Sequence, residues 1–571
     1  MFMYQINQNS CVCCHNCAME CPRQAIRYLG SKYQIDPDKC IECGLCERLC
    51  HAGAISDVDH PGRAASHGPV EKSADLVVCG GGTGLVAAVR AAQTGKHVIL
   101  VEKAEKLGGN TDYAHNFFPV YTKWHEEAGM PDMREEAVRH YREETDNVIE
   151  EDVLRTAVYG AGEFFDWLCE LGTPQEVYRL VRLGDADAHG PVYGPGVLDL
   201  PRRNHDNLNC RDDAIGPGWG GTYIKYAMLD AIEQQRLNVE ILVGTAARHL
   251  QLDEKGSICG VICEDAGGEV RIACRSVVLA TGGFGRSDGK LRKYAPEFFA
   301  GEPEPHRFSV PTDTGDSIDM LEELGVEPDP ERMYISLFGP KHHPFSNVLA
   351  EIALVPEMPQ FNCEGRRWVN ENVGPHGMTP VLKKQPKLYS WAIQSRDEYR
   401  RIAERFISDP AFASSRNFYE TWEEDIREEA ALPQNPPVRI SDTLEGLAVS
   451  CGMPVEIFVN SVRRYNEFCA GGVDRDFGKP AEFLRPIPEK GPYYAVYESR
   501  FSEAAMGGVR VNGACQVLRN DGTPIPGLYA GGDCTSAMHR KGKLAVVSEL
   551  TWAVASNFTA GGNASDYLER L

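Results

Sequence analysis

"ADLVVCGGGTGLVAAVRAAQTGKHVILVEK", residues 74–103, decides the fold. Residues 76–78 are an apolar strand, 84–94 form a helix rich in Ala and Val, and 97–101 form a second strand that ends at Glu102. This is a βαβ unit with a glycine-rich first turn and an acid about twenty residues further on. Glycines let the backbone approach a pyrophosphate at the helix N-terminus, and Glu102 accepts hydrogen bonds from ribose hydroxyls. The turn departs from G-x-G-x-x-G in one place. Cys79 stands at the first glycine, with Gly81 and Gly84 in the other two.

Three later segments extend the pattern. "EKLGGNTD" carries Gly108, Gly109 and Asn110 just after the ribose acid. "SVVLATGGFG" is a buried strand that runs into Thr281 and Gly282. "IPGLYAGGDC" sets Gly532 and Asp533 after a strand, where a carboxylate meets polyol hydroxyls.

Ahead of this unit lies a cysteine array. Cys11, Cys14, Cys17 and Cys21 give C-x2-C-x2-C-x3-C-P, and Cys40, Cys43, Cys46 and Cys50 repeat the spacing with His51 in place of proline. The duplicated run is the two-cluster bacterial ferredoxin pattern, in which the fourth cysteine of each run ligates the other cluster. One [4Fe–4S] cluster is therefore assigned to Cys11, Cys14, Cys17 and Cys50, the second to Cys40, Cys43, Cys46 and Cys21. A pair of zinc sites has no need of interlocked runs. Cys13 is surplus. So small a domain has little apolar core, so the clusters would hold it together.

At 571 residues the chain is too long for one core. Its net charge of −23 argues against nucleic acid and anionic membranes as partners. No apolar run is long enough to span a bilayer, and the first ten residues lack the pattern of a secretory signal. A cytoplasmic protein is expected, and there clustered cysteines bind metal more often than they form disulfides.

Taken with "FFDWLCELG", "GDSIDMLEELG", "EGRRWVNE" and "MGGVRVN", residues 74–565 resemble the flavoprotein family of fumarate reductase and succinate dehydrogenase. The resemblance implies an α/β fold: a small α+β ferredoxin-like domain (1–58), a linker (59–73), and a Rossmann-type FAD-binding domain in two parts (74–330 and 500–571). A clamp, or capping, domain (331–499) is inserted between those parts. FAD is expected on Gly80, Gly81, Gly82, Gly84, Glu102, Lys103, Gly108, Gly109, Asn110, Thr111, Ala246, Thr281, Gly282, Asp316, Gly532, Asp533 and Leu544. Asn110 stands where membrane-bound members carry the histidine that bonds to FAD, so non-covalent FAD is expected. A buried helix over 544–560 would point its N-terminus at the flavin, where its dipole favours reduced, anionic flavin.

The family's substrate residues do not carry over. The proton-donating arginine of fumarate reductases falls at Pro375, beside His376; a carboxylate-binding histidine falls at Ala504, and a carboxylate-binding arginine at Lys543. Glu351 matches a carboxylate of the family's proton route. The remaining polar candidates for catalysis are His376, Lys543, Glu503, His539 and Arg540, with Phe117, Phe118, Tyr334, Phe338 and Trp368 as aromatic lining. The expectation is an iron–sulfur flavoenzyme of anaerobic type that reduces an activated C=C bond of an enoate or enone and does not reduce fumarate. Ferredoxin, flavodoxin or another redox protein would donate electrons. A desaturase running in reverse and a pure electron-transfer subunit are the alternatives.

Overall fold

The computed structural model describes residues 4–571 except 9, 12–15, 20, 22, 24, 29–32, 38, 41–45, 48–49, 51–53, 58–67, 115–118, 128, 173–178, 182–196, 200–219, 300–305, 308, 336–338, 341–351, 374–377, 379–380, 409–419, 421, 433–435, 500, 503–504, 536, 542 and 546–548. Leu76–Cys79 is buried at every position, as a strand covered on both faces of a parallel sheet must be. It lies inside a six-stranded sheet of order Val239–Leu242, Val98–Val101, Leu76–Cys79, Ser276–Leu279, Pro524–Ala530, Gln516–Leu518. All neighbours are parallel except the last pair. The crossover helix Gly84–Ala92 stops two residues before the expected end, ahead of Gly95 at φ +86°.

The C-terminal helix Glu549–Glu569 packs on this crossover helix and on Glu151–Glu170. It differs from the expected 544–560 at both ends. Leu544 instead belongs to a two-residue strand paired with His539–Arg540, because an apolar run marks the buried face of a chain and not the turn where a helix begins. At the other end, Gly561 lets the helix continue past the crossover helix: a Cβ there would sit 2.6 Å from the Ala87 carbonyl oxygen.

A second sheet orders Ala246–Leu252, Ile258–Glu264, Glu269–Ala273 and Val70–Ser73. Val70–Ser73 pairs in parallel with Glu269–Ala273, so the last four residues expected in the linker are strand. Val70 and Lys72 are half-buried while Glu71 and Ser73 are exposed. A short edge strand of that kind leaves little trace beside a run rich in Gly, Pro and Ser.

The inserted segment builds its own sheet around Tyr493–Ser499, with Tyr389–Ser395, Gln360–Asn362, Gly339–Pro340 and Val438–Ser441. Tyr494 and Val496 enter one apolar cluster with Tyr399 and Trp422; Tyr493, Ala495 and Tyr497 enter another with Phe361 and Phe458. Both faces are therefore covered. Arg367 and Glu371 of "EGRRWVNE" pair at 2.7 Å, Asp474 meets Arg367 at 2.8 Å, and Lys479 meets Glu371 at 3.2 Å, all buried. Trp368, expected as aromatic lining, is buried beside Val369, Met378 and Leu382.

In the N-terminal segment Tyr4–Ile6 pairs antiparallel with Ile55–Asp57, and Ile26–Tyr28 with Tyr33–Ile35. Among the described residues no helix is long and apolar enough to cross a membrane.

Candidate functional site

An open groove lies where the central parallel strands end, the place where open α/β sheets bind ligands. Gly80–Thr83, Glu102, Lys103, Gly108–Thr111, Thr281, Gly282, Asp313, Asp316, Gly532 and Asp533 line it. Gly80 holds φ +119°, and a Cβ on it would strike the Ala280 carbonyl oxygen at 2.1 Å. A Cβ on Gly82 would lie 2.6 Å from Thr111 Oγ1. The cradle is therefore open only because these positions lack side chains. Gly84 has a different task. Its Cα faces Ala280, where a Cβ would come within 3.0 Å, so it sets helix–strand packing and does not line the groove.

Glu102 is buried at the end of its strand, and both oxygens accept backbone hydrogen bonds, from Gly81 N at 2.7 Å and Ala104 N at 2.8 Å. Burial raises its pKa against the pull of those two donors. Lys103 Nζ donates to Asp316 Oδ2 at 2.7 Å and to Thr314 Oγ1 at 2.6 Å. Thr83 N donates to Thr111 Oγ1 at 3.2 Å, and Asn557 Nδ2 of the C-terminal helix donates to Thr83 Oγ1 at 3.0 Å. Ser556 Oγ accepts from Gly532 N at 2.9 Å. The last helix thus braces both the first turn and the Gly532–Asp533 corner.

Two carboxyls in the groove are strongly perturbed. Burial lifts Asp313 to about 6, opposed by the Gly285 N–H and by the nearby Asn110 and Ser309 side chains. Burial lifts Asp533 to about 7, and the charge of Asp313 adds to the rise. Asp313 Oδ2 accepts from Gly285 N at 3.2 Å, while its Oδ1 has no hydrogen-bond partner among the described residues. An orphaned buried oxygen beside a glycine cradle fits a ligand rich in hydroxyls and phosphate. Sequence reading missed Asp313, Thr83 and Asn557. Asp313 had a signal, an acid three residues before Asp316 inside "TDTGD".

Thr245 and Ala247 line the groove, whereas Ala246 between them is buried but does not. His539 is buried, and burial, with the charges of Lys383 and Arg332, lowers its pKa to about 4. Lys543 is exposed and pairs with Asp146 at 2.8 Å, away from the groove lining. Arg540 binds Glu150 at 3.0 Å, and Arg332 binds the same carboxylate. The backbone of Leu544 sits in the hairpin described above. Glu351, His376, Glu503, Pro375, Ala504, Phe117, Phe118 and Phe338 lie outside the described residues.

In the N-terminal segment Cys17 and Cys50 are buried, with Cys11, Cys21, Cys40 and Cys46 packed against the same apolar cluster of Ile26, Tyr33, Ile35 and Ile55. Cys21 Sγ accepts from Ala25 N at 3.2 Å, and Cys50 Sγ from Ala54 N at 3.1 Å. The two halves repeat one geometry, and Cys11 lies near enough to Cys50 to act on its thiol. This brings a cysteine of the first run beside the last of the second. Cys13, Cys14 and Cys43 lie outside the described residues, and among the rest no three metal-binding side chains converge on one point.

The FAD binding domain family matches residues 75–545. The chain belongs to this family. The 4Fe-4S binding domain family matches residues 33–56. Among curated relatives, the vinyl phenol reductase of Lactiplantibacillus plantarum is 26% identical, with 81% of this chain and 90% of that protein covered. The 4-oxocyclohexanecarboxylate 2-dehydrogenase of Sinomonas cyclohexanicum is 27% identical, covering 86% and 94%. The solved 3-ketosteroid-delta4-(5alpha)-dehydrogenase of Rhodococcus jostii has the same fold, with TM-score 0.65, 21% identity, and 88% and 99% covered. This chain is therefore a flavoprotein of that family with an added iron–sulfur motif, and the curated relatives it resembles are reductases and dehydrogenases.

Proposed function

We propose that this flavoprotein reduces an activated C=C bond of a small enoate or enone, with electrons delivered through two [4Fe–4S] clusters. The observation that carries the reading is the joining, in one chain, of a doubled ferredoxin cysteine array to a groove whose glycines and carboxylates suit FAD. When bound, FAD supplies hydride chemistry at its ring and stores two electrons, while the clusters carry them singly. Glu102 would hold the adenosine ribose, Asp533 the ribitol hydroxyls, and the N-terminus of Gly84–Ala92 the pyrophosphate. Asn110 offers no covalent bond. The inserted segment would enclose substrate against the groove, and His376, with Glu351, Glu503, His539 and Lys543 as further candidates, would deliver the proton that completes the reduction.

Fumarate is a poor candidate. Two carboxylates need charge-assisted contacts at both ends, and Ala504 stands where the family carries a carboxylate-binding histidine, while Pro375 replaces the proton-donating arginine. The second reading is a desaturase that would pass electrons out through the clusters, and the name of one relative, a 4-oxocyclohexanecarboxylate 2-dehydrogenase, supports it. A panel of enones and unsaturated carboxylates, assayed anaerobically with reduced viologen and in reverse with an oxidant, tests both. Turnover only with saturated substrates and an oxidant overturns the reductase reading. Turnover of nothing leaves the electron-relay reading. A cytoplasmic site and a ferredoxin or flavodoxin donor belong to the same proposal.

A further inference from the structure

The loop that follows the ribose acid is anchored on both sides of Lys106. Lys103 is held by Asp316 and Thr314 at 2.7 and 2.6 Å. Leu107 packs so closely on the first turn that a Cβ on Gly81 would lie 2.4 Å from its Cδ2, and Gly108 N donates to Gly81 O at 2.9 Å. Between these anchors, Lys106 Nζ donates to the backbone carbonyl of Glu47 at 2.6 Å in a partly buried contact. Glu47 directly follows Cys46 and precedes Cys50 by three residues. The cation thus bridges the loop beside the groove and the residue that directly follows Cys46 of the ferredoxin-like array.

We propose that Lys106 is a positioning residue that docks the ferredoxin-like domain on the cofactor groove and so fixes the approach of its clusters to the flavin. The proposal rests on the cluster and FAD reading above. Electron tunnelling weakens steeply with distance, so a relay between centres in two domains needs a fixed approach. A lysine held at the rim of one site and bonded to the ligand loop of the other provides it. A cluster gains negative charge on reduction, so a neighbouring cation favours its reduced form. No atom moves in this step. One electron leaves the cluster and enters the flavin, and reduced viologen is the source in the test.

The experiment uses the full-length holoprotein and the variants Lys106→Met and Lys106→Arg. Stopped-flow spectra after mixing with reduced viologen follow cluster and flavin bleaching separately. EPR-monitored redox titration gives the cluster potentials. In Lys106→Met, iron and FAD content and the rate of cluster reduction stay at wild-type values. Flavin reduction slows by about tenfold or more, the loss expected for one such contact, and the potential of one cluster moves to more negative values. Lys106→Arg keeps the charge and restores most of the rate. Wild-type flavin reduction with unshifted potentials in Lys106→Met overturns the proposal. If Lys106→Met loses iron, Lys106→Gln is measured instead, and wild-type behaviour in it is equally decisive. If wild-type clusters reduce while the flavin stays oxidised, the electron-transfer reading fails. Amide exchange at residues 47–50 then decides the docking contact alone, since protection must fall in Lys106→Met if the contact exists.

Discussion

Asn110 Oδ1 accepts a hydrogen bond from Val310 N at 2.8 Å, closing the groove with two segments far apart in sequence. A side-chain amide nitrogen, its lone pair delocalised into the carbonyl, is no nucleophile toward the flavin. Acid precipitation of the holoprotein therefore releases its flavin to the supernatant, and coloured flavin in the pellet refutes the non-covalent assignment. Asn110→Ala removes one partly buried hydrogen bond, worth about 1 kcal/mol. FAD affinity, followed by fluorescence quenching, should fall by roughly fivefold to tenfold.

Glu102 is the acceptor for two backbone donors, Gly81 N of the first turn and Ala104 N of its own loop. Glu102→Ala strands both and removes the ribose contact. FAD affinity should drop by about a hundredfold, equivalent to about 2.7 kcal/mol. Iron content should not change. An unaltered FAD dissociation constant would remove Glu102 from the cofactor site.

The two groove carboxyls give the FAD-free protein a defined pH dependence. Asp313 and Asp533 rise from an ordinary 3.8 to about 6 and about 7. Raised carboxyls bind protons on folding, so their stabilisation is complete below about pH 4 and is lost as pH climbs through 6 and 7. Asp533→Asn takes the penalised charge away. Its melting temperature should exceed that of the wild-type apoprotein at pH 8, with a difference on the order of 1–3 kcal/mol, and should converge with it near pH 4. A gap that widens on acidification contradicts the sign.

Lys225 and Asp112 form a buried pair at 2.7 Å, with side chains 6% and 0% exposed. Losing one partner leaves the other charge buried and uncompensated, which costs about 3–5 kcal/mol. Lys225→Met should lower the denaturant midpoint sharply, and Lys225→Met/Asp112→Leu should recover much of the loss. No recovery in the double variant would show that the pair is not the cause.

Anaerobic protein should hold about eight irons and one FAD. Cys50→Ser should lose iron and viologen-driven turnover while keeping FAD, since the groove shares no cysteine ligand with the array. Normal turnover in that variant would make the ferredoxin-like domain structural or an exit path, and the desaturase reading would then lead.

Much of the fold was legible because its signals are local. The strand at 76–79, the glycine turn and Glu102 lie within one supersecondary unit, and their spacing expresses backbone geometry that any such βαβ unit must satisfy. The doubled cysteine spacing is similar, since thiolates around one cluster are set by the reach of a few residues. Helix 549–569 was misplaced at its ends and strand 70–73 was read as linker, because the deciding partners are distant strands and helices.

By itself the sequence determined the class of fold, the cofactor cradle and the metal-binding array, because glycine, cysteine and acid positions constrain the chain within short stretches. Tertiary structure decided the electrostatics. Asp313 and Asp533 lie 220 positions apart in the numbering, yet meet in one desolvated groove. Asn557 reaches Thr83 from the far end of the chain, and Lys106 meets Glu47 across two domains. Burial and the charge of a neighbour are properties of where segments come to rest, and only the packed chain has them.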